Sequence, residues 1–159
     1  MSDHLVEIIF KEVDLKNLIP LLQYLTSEGK NVVSYYDNYD LLKIDWKQEE
    51  TIAKFFKDHE ECALFINLDA LNIEGISLKK CGLAIYQIEN RINLEINFEI
   101  LDIYNSTKID LVEALMRLSN ILSKKYEIKE FFCGLEPAGD LETRLFTKDQ
   151  LGPFSLPIG

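Results

Sequence analysis

Basic residues are scarce in this chain. Seventeen lysines and arginines stand against 27 aspartates and glutamates, for a formal net charge of -10 at pH 7. Nucleic-acid backbones are gripped by lysine and arginine, so direct nucleic-acid binding drops out of the expected roles. Cysteine is nearly absent as well. Cys62, Cys81 and Cys133 lie far apart, are odd in number and show no CxxC or Cys/His spacing, which argues against a disulfide scaffold or a zinc site. All three adjoin apolar segments and are expected as buried thiols in a reducing compartment. No glycine-rich loop opens a helix, and GxSxG, HExxH and DxDxDG are all missing. The two histidines, His4 and His59, have no neighbours resembling a ligand set or a triad, and both are expected at the surface. No run approaches the roughly 20 apolar residues of a membrane span. The opening MSDHLVEIIFKEV carries acids where a secretory signal needs a basic lead. A cytoplasmic chain that is not an enzyme, with no cofactor, no metal and no membrane contact, is the expectation.

What is present is a good core. With 47% hydrophobic and 28% charged residues over 159 positions, the chain reads as one globular domain, 1–159. Its centre is Arg91–Ile103, RINLEINFEILDI. Ile92, Leu94, Ile96, Phe98 and Ile100 alternate there with Asn93, Glu95, Asn97 and Glu99. Alternate side chains of a strand face opposite ways, so this is a long strand with one apolar and one polar, acidic side. Such alternation belongs to an antiparallel sheet packed on one face only. Gly82–Ile88 precedes it across Glu89-Asn90, which marks a hairpin; a two-residue loop would bring Leu83 and Ile85 to the apolar face, and a three-residue loop Ala84, Tyr86 and Ile88.

Further strands are expected at Leu5–Phe10, Asn31–Tyr36, Leu41–Trp46, Cys62–Leu68, Ile73–Leu78 and Glu130–Leu135. Helices are expected after Asn17 as N-cap, after an Asp45/Gln48 capping box, and from the Thr107/Asp110 start signal through Lys125. The fold class is therefore α+β, a mainly antiparallel sheet with about three helices in a single layer on one face. The segment 136–159 holds three of the four prolines but is rich in leucine and phenylalanine, so it is expected as an ordered piece packed on the domain. Within it, Asp140 would cap a helical turn with Arg144 as its i+4 partner.

Carboxylates offer the only candidates for chemistry. Glu95 and Glu99 stand about 13 Å apart along a strand, beyond the roughly 5–9.5 Å of paired glycosidase carboxylates, and read as a solvated face. Glu136, Asp140 and Glu142 lack calcium-loop spacing. The segment Tyr35-Tyr36-Asp37-Asn38-Tyr39-Asp40 is different in kind. Tyrosine joins an apolar ring to a polar tip and is enriched at interface hot spots, while carboxylates beside it meet lysine or arginine on a partner. Tyr35, Tyr36, Asp37, Tyr39 and Asp40, with Asp45, Glu49 and Glu50 just downstream, are the candidate partner-binding residues. The plainer alternative puts some of the tyrosines in the core and the aspartates in a turn.

The strand INLEINFEILDI, the segment YYDNYD, and the tail GLEPAGDLETRLFT with Leu151-Gly152-Pro153 after it together resemble the immunity proteins of bacterial polymorphic-toxin and contact-dependent inhibition systems. That resemblance implies a non-catalytic, stoichiometric binder that neutralises one cognate toxin by occluding its active site or substrate-binding face. Toxins that cut nucleic acid need basic clefts, which an acidic protein complements, so the expected partner is a basic toxin domain. No binding residues carry over from the resemblance. The competing expectations are an enzyme built from scattered residues such as Glu95, Glu136 or Tyr86, a ligand-sensing regulatory domain, and an acidic mimic of nucleic acid.

Overall fold

The alternating segment forms the strand Arg91–Glu99 at the centre of a seven-stranded sheet. The structure is a computed structural model and describes residues 5–48, 50–73, 75–99, 111–136, 144–148 and 150–152. Its elements in chain order are β1 (Leu5–Lys11), α1 (Leu15–Leu25), β2 (Val32–Asp37), α2 (Glu50–Asp58), β3 (Cys62–Leu68), β4 (Leu71–Ile73), β5 (Ile76–Leu78), β6 (Cys81–Ile88), β7 (Arg91–Glu99), α3 (Leu111–Lys125), β8 (Glu130–Leu135) and β9 (Arg144–Thr147). The sheet order is β2-β3-β6-β7-β1-β8-β9, every pairing antiparallel, with β4 and β5 as a separate hairpin.

The period of two in β7 decides which way the sheet faces. Ile92, Leu94, Ile96 and Phe98 are buried, and the register lays Ile96 and Leu94 between Ile8 and Phe10 of β1 and Leu83 and Ile85 of β6. Five buried residues of α1, three of α2, and Ala114, Leu115, Leu118 and Leu122 of α3 join the same apolar cluster. The three helices among the described residues thus serve one face, as a half-buried antiparallel sheet requires. Residues on the other side of the central strands, such as Phe65, Tyr86, Glu95 and Ile9, stand outside that cluster.

Local chemistry fixes the connections. The β6–β7 hairpin takes the two-residue option, pairing Ile88 with Arg91, because Glu89 and Asn90 both adopt positive φ, 51° and 63°, as a type I′ turn demands. Gln87, buried at the end of β6, donates through its side-chain amide to the carbonyls of Phe56 and His59 and so closes the C-terminal end of α2.

Several boundaries differ from the sequence expectation. Helix α1 starts at Leu15 behind Asp14, not after Asn17. Val13 is still tied to the sheet through Ile92 O at 2.8 Å, so the chain turns at once into the helix. Pro20 therefore sits inside α1, on its exposed side, where its missing N–H leaves Lys16 O without the usual partner. Residues 41–46 form no strand, since the backbone N–H groups of Leu41, Leu42 and Ile44 go to side chains of β2. Asp45 takes the Lys47 N–H in a tight turn, and α2 opens only at Glu50. Ile73–Leu78 is split, with Gly75 at φ 85° between β4 and β5. Arg144 lies in a strand, not a helical turn: β9 pairs with β8 at the sheet's edge and is closed by a Phe146–Leu151 bridge. Thr107, Asp110, Asp140 and Ile100–Ile103 lie outside the described residues.

Candidate partner-binding surface

The edge strand β2 separates the candidate residues by the face on which each side chain emerges. Tyr35 and Asp37 stand opposite Ile66 and Leu64, on the side of the described helices, whereas Tyr36 stands opposite Phe65, on the side turned away from them. Asp37 is 7% exposed, and its carboxylate accepts the backbone N–H of Tyr39 at 2.9 Å, of Leu41 at 3.2 Å and of Leu42 at 2.9 Å. Partial burial pushes its pKa up, but these N–H groups, with that of Asp40, outweigh it and hold the group below the usual aspartate value. The Tyr35 hydroxyl accepts Ile44 N–H at 2.9 Å, and its ring meets Trp46 edge-on. Both residues hold residues 38–46 in shape, and their polar atoms are engaged within the chain.

The loop that they hold presents its remaining side chains outward. Tyr39 is 46% exposed, stacks on His59 at 4.6 Å and donates its hydroxyl to Glu61 O. Asp40, at φ 55°, and Asp45 are exposed, as is Glu50 in the first turn of α2. Glu49 lies outside the described residues. The structure therefore brings Tyr39 and Asp40 to one rim, sets Tyr36 around the edge on the sheet face, and leaves Asp45 and Glu50 further along the chain.

On the face turned away from the described helices the register lines residues up across the strands. One row runs Tyr36–Phe65–Ala84–Glu95–Ile9–Phe132. Tyr36 stacks on Phe65 with ring centroids 4.8 Å apart, and Phe65 meets Tyr86 edge-on at 5.6 Å. Beside them Glu95 of β7 sits diagonally across from Glu7 of β1, which is 9% exposed. Burial, the negative charge of Glu7, a hydrogen bond with Glu7 and the charge of Glu136 together raise the Glu95 pKa from 4.5 to about 7. Tyr86 is raised too, through burial and the charges of Glu95 and Glu7.

The PABL017 Cdi1I immunity protein family matches residues 4–151, nearly the whole chain. The chain belongs to this family. A chain from the crystal structure of the toxic C-terminal tip of CdiA from Pseudomonas aeruginosa in complex with immune protein is also similar. It is 25% identical with a TM-score of 0.80, covering 94% of this chain and 97% of that one. No curated protein matches.

The immunity family's task is binding rather than catalysis, and this settles the place of the raised carboxyl. Glu95 was one residue of the scattered-enzyme alternative, and its high pKa arises in an immunity protein from burial first and then from a second carboxyl on the neighbouring strand. The pairing escaped sequence reasoning because Glu7 interrupts an apolar run from the first strand while Glu95 lies 88 positions later. The available signal was the placing of a lone acid within LVEIIF, a segment otherwise fit for a central strand. Phe65 escaped as well, being one aromatic in an ordinary strand pattern, and Tyr86, named only as a scattered candidate, gave no sign in the sequence of its contact with Phe65. Among the described residues no group of three or more His, Cys, Asp or Glu could hold a metal, and no helix is long and apolar enough to cross a membrane.

Proposed function

We propose that this immunity protein binds one cognate toxin domain, one to one, and neutralises it by covering the toxin's active site or substrate-binding face. The observation that carries the reading is the family match over residues 4–151. The net charge of -10 adds the partner's character, a basic domain such as a nuclease whose cleft attracts phosphates. An acidic cover competes for that cleft without binding nucleic acid itself. A toxin acting on cellular nucleic acid would be met in the cytoplasm, which is the proposed compartment.

On this reading the exposed members of the candidate set, Tyr36, Tyr39, Asp40, Asp45 and Glu50, face the toxin together with Glu49, while Tyr35 and Asp37 keep the loop in shape. The reading also treats residues 1–159 as one domain, with 136–159 packed on it. The test is co-expression with the toxin domain encoded just upstream of this chain's own gene. Growth arrested by the toxin alone should resume when this protein is present. Loss of rescue by Tyr36→Ala and Asp40→Lys in a folded protein supports the assigned surface; unchanged rescue and unchanged toxin affinity would remove it.

A further inference from the structure

The face of the sheet turned away from the described helices combines two carboxyl groups with a row of aromatic rings. Two carboxyl groups sit on adjacent strands in a diagonal pair, where like charges oppose each other. The position is half-buried, so the repulsion is screened less than at an open surface. Three aromatic rings, Tyr36, Phe65 and Tyr86, form a continuous platform one to three strands away, and Tyr36 is 56% exposed. Between platform and carboxyl lies Ala84, directly beside both Phe65 and Glu95, so no bulky side chain separates them. Phe65 and Glu95 are two strands apart, about 10 Å. The basic residues of this face are Arg91 at the start of β7, 3.8 Å from Glu12, Lys11, which stands opposite Glu130 in the register, and Arg144, which stands opposite Gly134 with its guanidinium 4.8 Å from the Phe132 ring.

We propose that this face receives the toxin through a basic side chain, an arginine or lysine, whose cationic head meets Glu95 and whose stem lies along the Phe65–Tyr86 platform. The inference rests on the immunity reading above and adds to it the contact chemistry and a second face beyond the β2 loop. Charge complementarity selects the occupant. An arginine satisfies both parts of the face, pairing with a carboxylate and stacking on aromatic rings, and a basic toxin domain supplies one. Tyr36 joins the two surfaces, since it belongs both to the candidate loop segment and to the platform. The proton held by Glu95 near neutral pH gives the contact a signature: a cation docking there favours the ionised carboxylate and expels the proton.

The experiment is calorimetric titration of the full chain with the toxin domain encoded upstream, using wild type, Glu95→Gln and Phe65→Ala. Glu113→Gln on α3 serves as a charge-matched control on the helical side. Each variant is first checked for folding by thermal melting. The expected result is at least a tenfold loss of affinity for Glu95→Gln and for Phe65→Ala, and a change within twofold for Glu113→Gln. Glu95→Gln is expected to melt no lower than wild type, so weakened binding cannot come from unfolding. Repeating the titration near pH 7 in buffers of different ionisation enthalpy should show proton release for wild type and less for Glu95→Gln. Affinities of Glu95→Gln and Phe65→Ala equal to wild type would overturn the proposal while leaving the immunity reading intact. Variants that keep toxin affinity but lose self-association would assign the face to a second copy of the chain and overturn it likewise. Failure of the wild-type protein to bind the toxin at all would overturn the immunity reading, and this contact with it.

Discussion

Replacing Glu95 by glutamine should make the protein more stable at pH 8 and leave it unchanged near pH 4.5. The wild-type carboxyl titrates at about 7 in the folded chain and near 4.5 when unfolded. Between these values the folded state holds the proton and the unfolded state has released it, so wild-type stability falls as pH rises through the window. Below 4.5 both states are protonated and the site costs nothing; above 7 the full cost of ionising it beside Glu7 and Glu136 is present. The difference between the two pKa values sets a ceiling of about 3 kcal/mol, and solvent reaching a half-buried group reduces this to about 1–2 kcal/mol. Glutamine cannot ionise but can still donate a hydrogen bond to Glu7, so the variant escapes the penalty. Urea denaturation of both proteins at pH 4.5 and pH 8, with linear extrapolation to water, measures it. The gain should be near zero at the lower pH and about 1–2 kcal/mol at the higher. The same gain at both pH values, or a loss at pH 8, would refute the account of the carboxyl pair.

The other consequences are more local. Asp37→Ala strands three backbone N–H groups in a partly buried loop and should cost about 2–3 kcal/mol in denaturation experiments at neutral pH. Because the folded-state pKa of Asp37 lies below its unfolded value, that deficit should be present above the unfolded value and shrink as pH falls through the folded one. At the hairpin, Glu89→Asn with Asn90→Gly fits both positive φ angles and should stabilise by about 0.5–1 kcal/mol; a destabilised double variant would contradict the type I′ turn. Raising the salt concentration should slow association with the toxin more than it speeds dissociation, since steering by opposite charge is screened first. Stopped-flow rates insensitive to salt would remove the basic-partner reading.

Which parts of this molecule can be read from its sequence follows from the range of the interactions. Alternation in Arg91–Glu99 reports a strand with one buried face directly, because each side chain's environment repeats every second residue. The helices announce themselves by stripes such as Leu18, Ile19, Leu22 and Leu25. The register of the central hairpin was open, and the two positive-φ residues Glu89 and Asn90 close it. Residues 41–46 look strand-like in composition, yet Asp37 and Tyr35 take the backbone donors of Leu41, Leu42 and Ile44, a competition between side chain and ladder that local patterns do not reveal. The YYDNYD segment was legible as a cluster. Its division into outward Tyr36 and Tyr39 and engaged Tyr35 and Asp37 depended on the pairing of β2 with β3. The carboxyl pair Glu7–Glu95 was not legible, since it needs the β1–β7 register that joins residues far apart in the chain.

Calorimetric titration of this protein with the C-terminal domain encoded by the reading frame just upstream of its gene tests the central claim most directly. Stoichiometric binding with a nanomolar Kd, about -12 kcal/mol, is the result expected of a dedicated inhibitor. A well-folded toxin domain that releases no heat and forms no complex with the folded protein would contradict it.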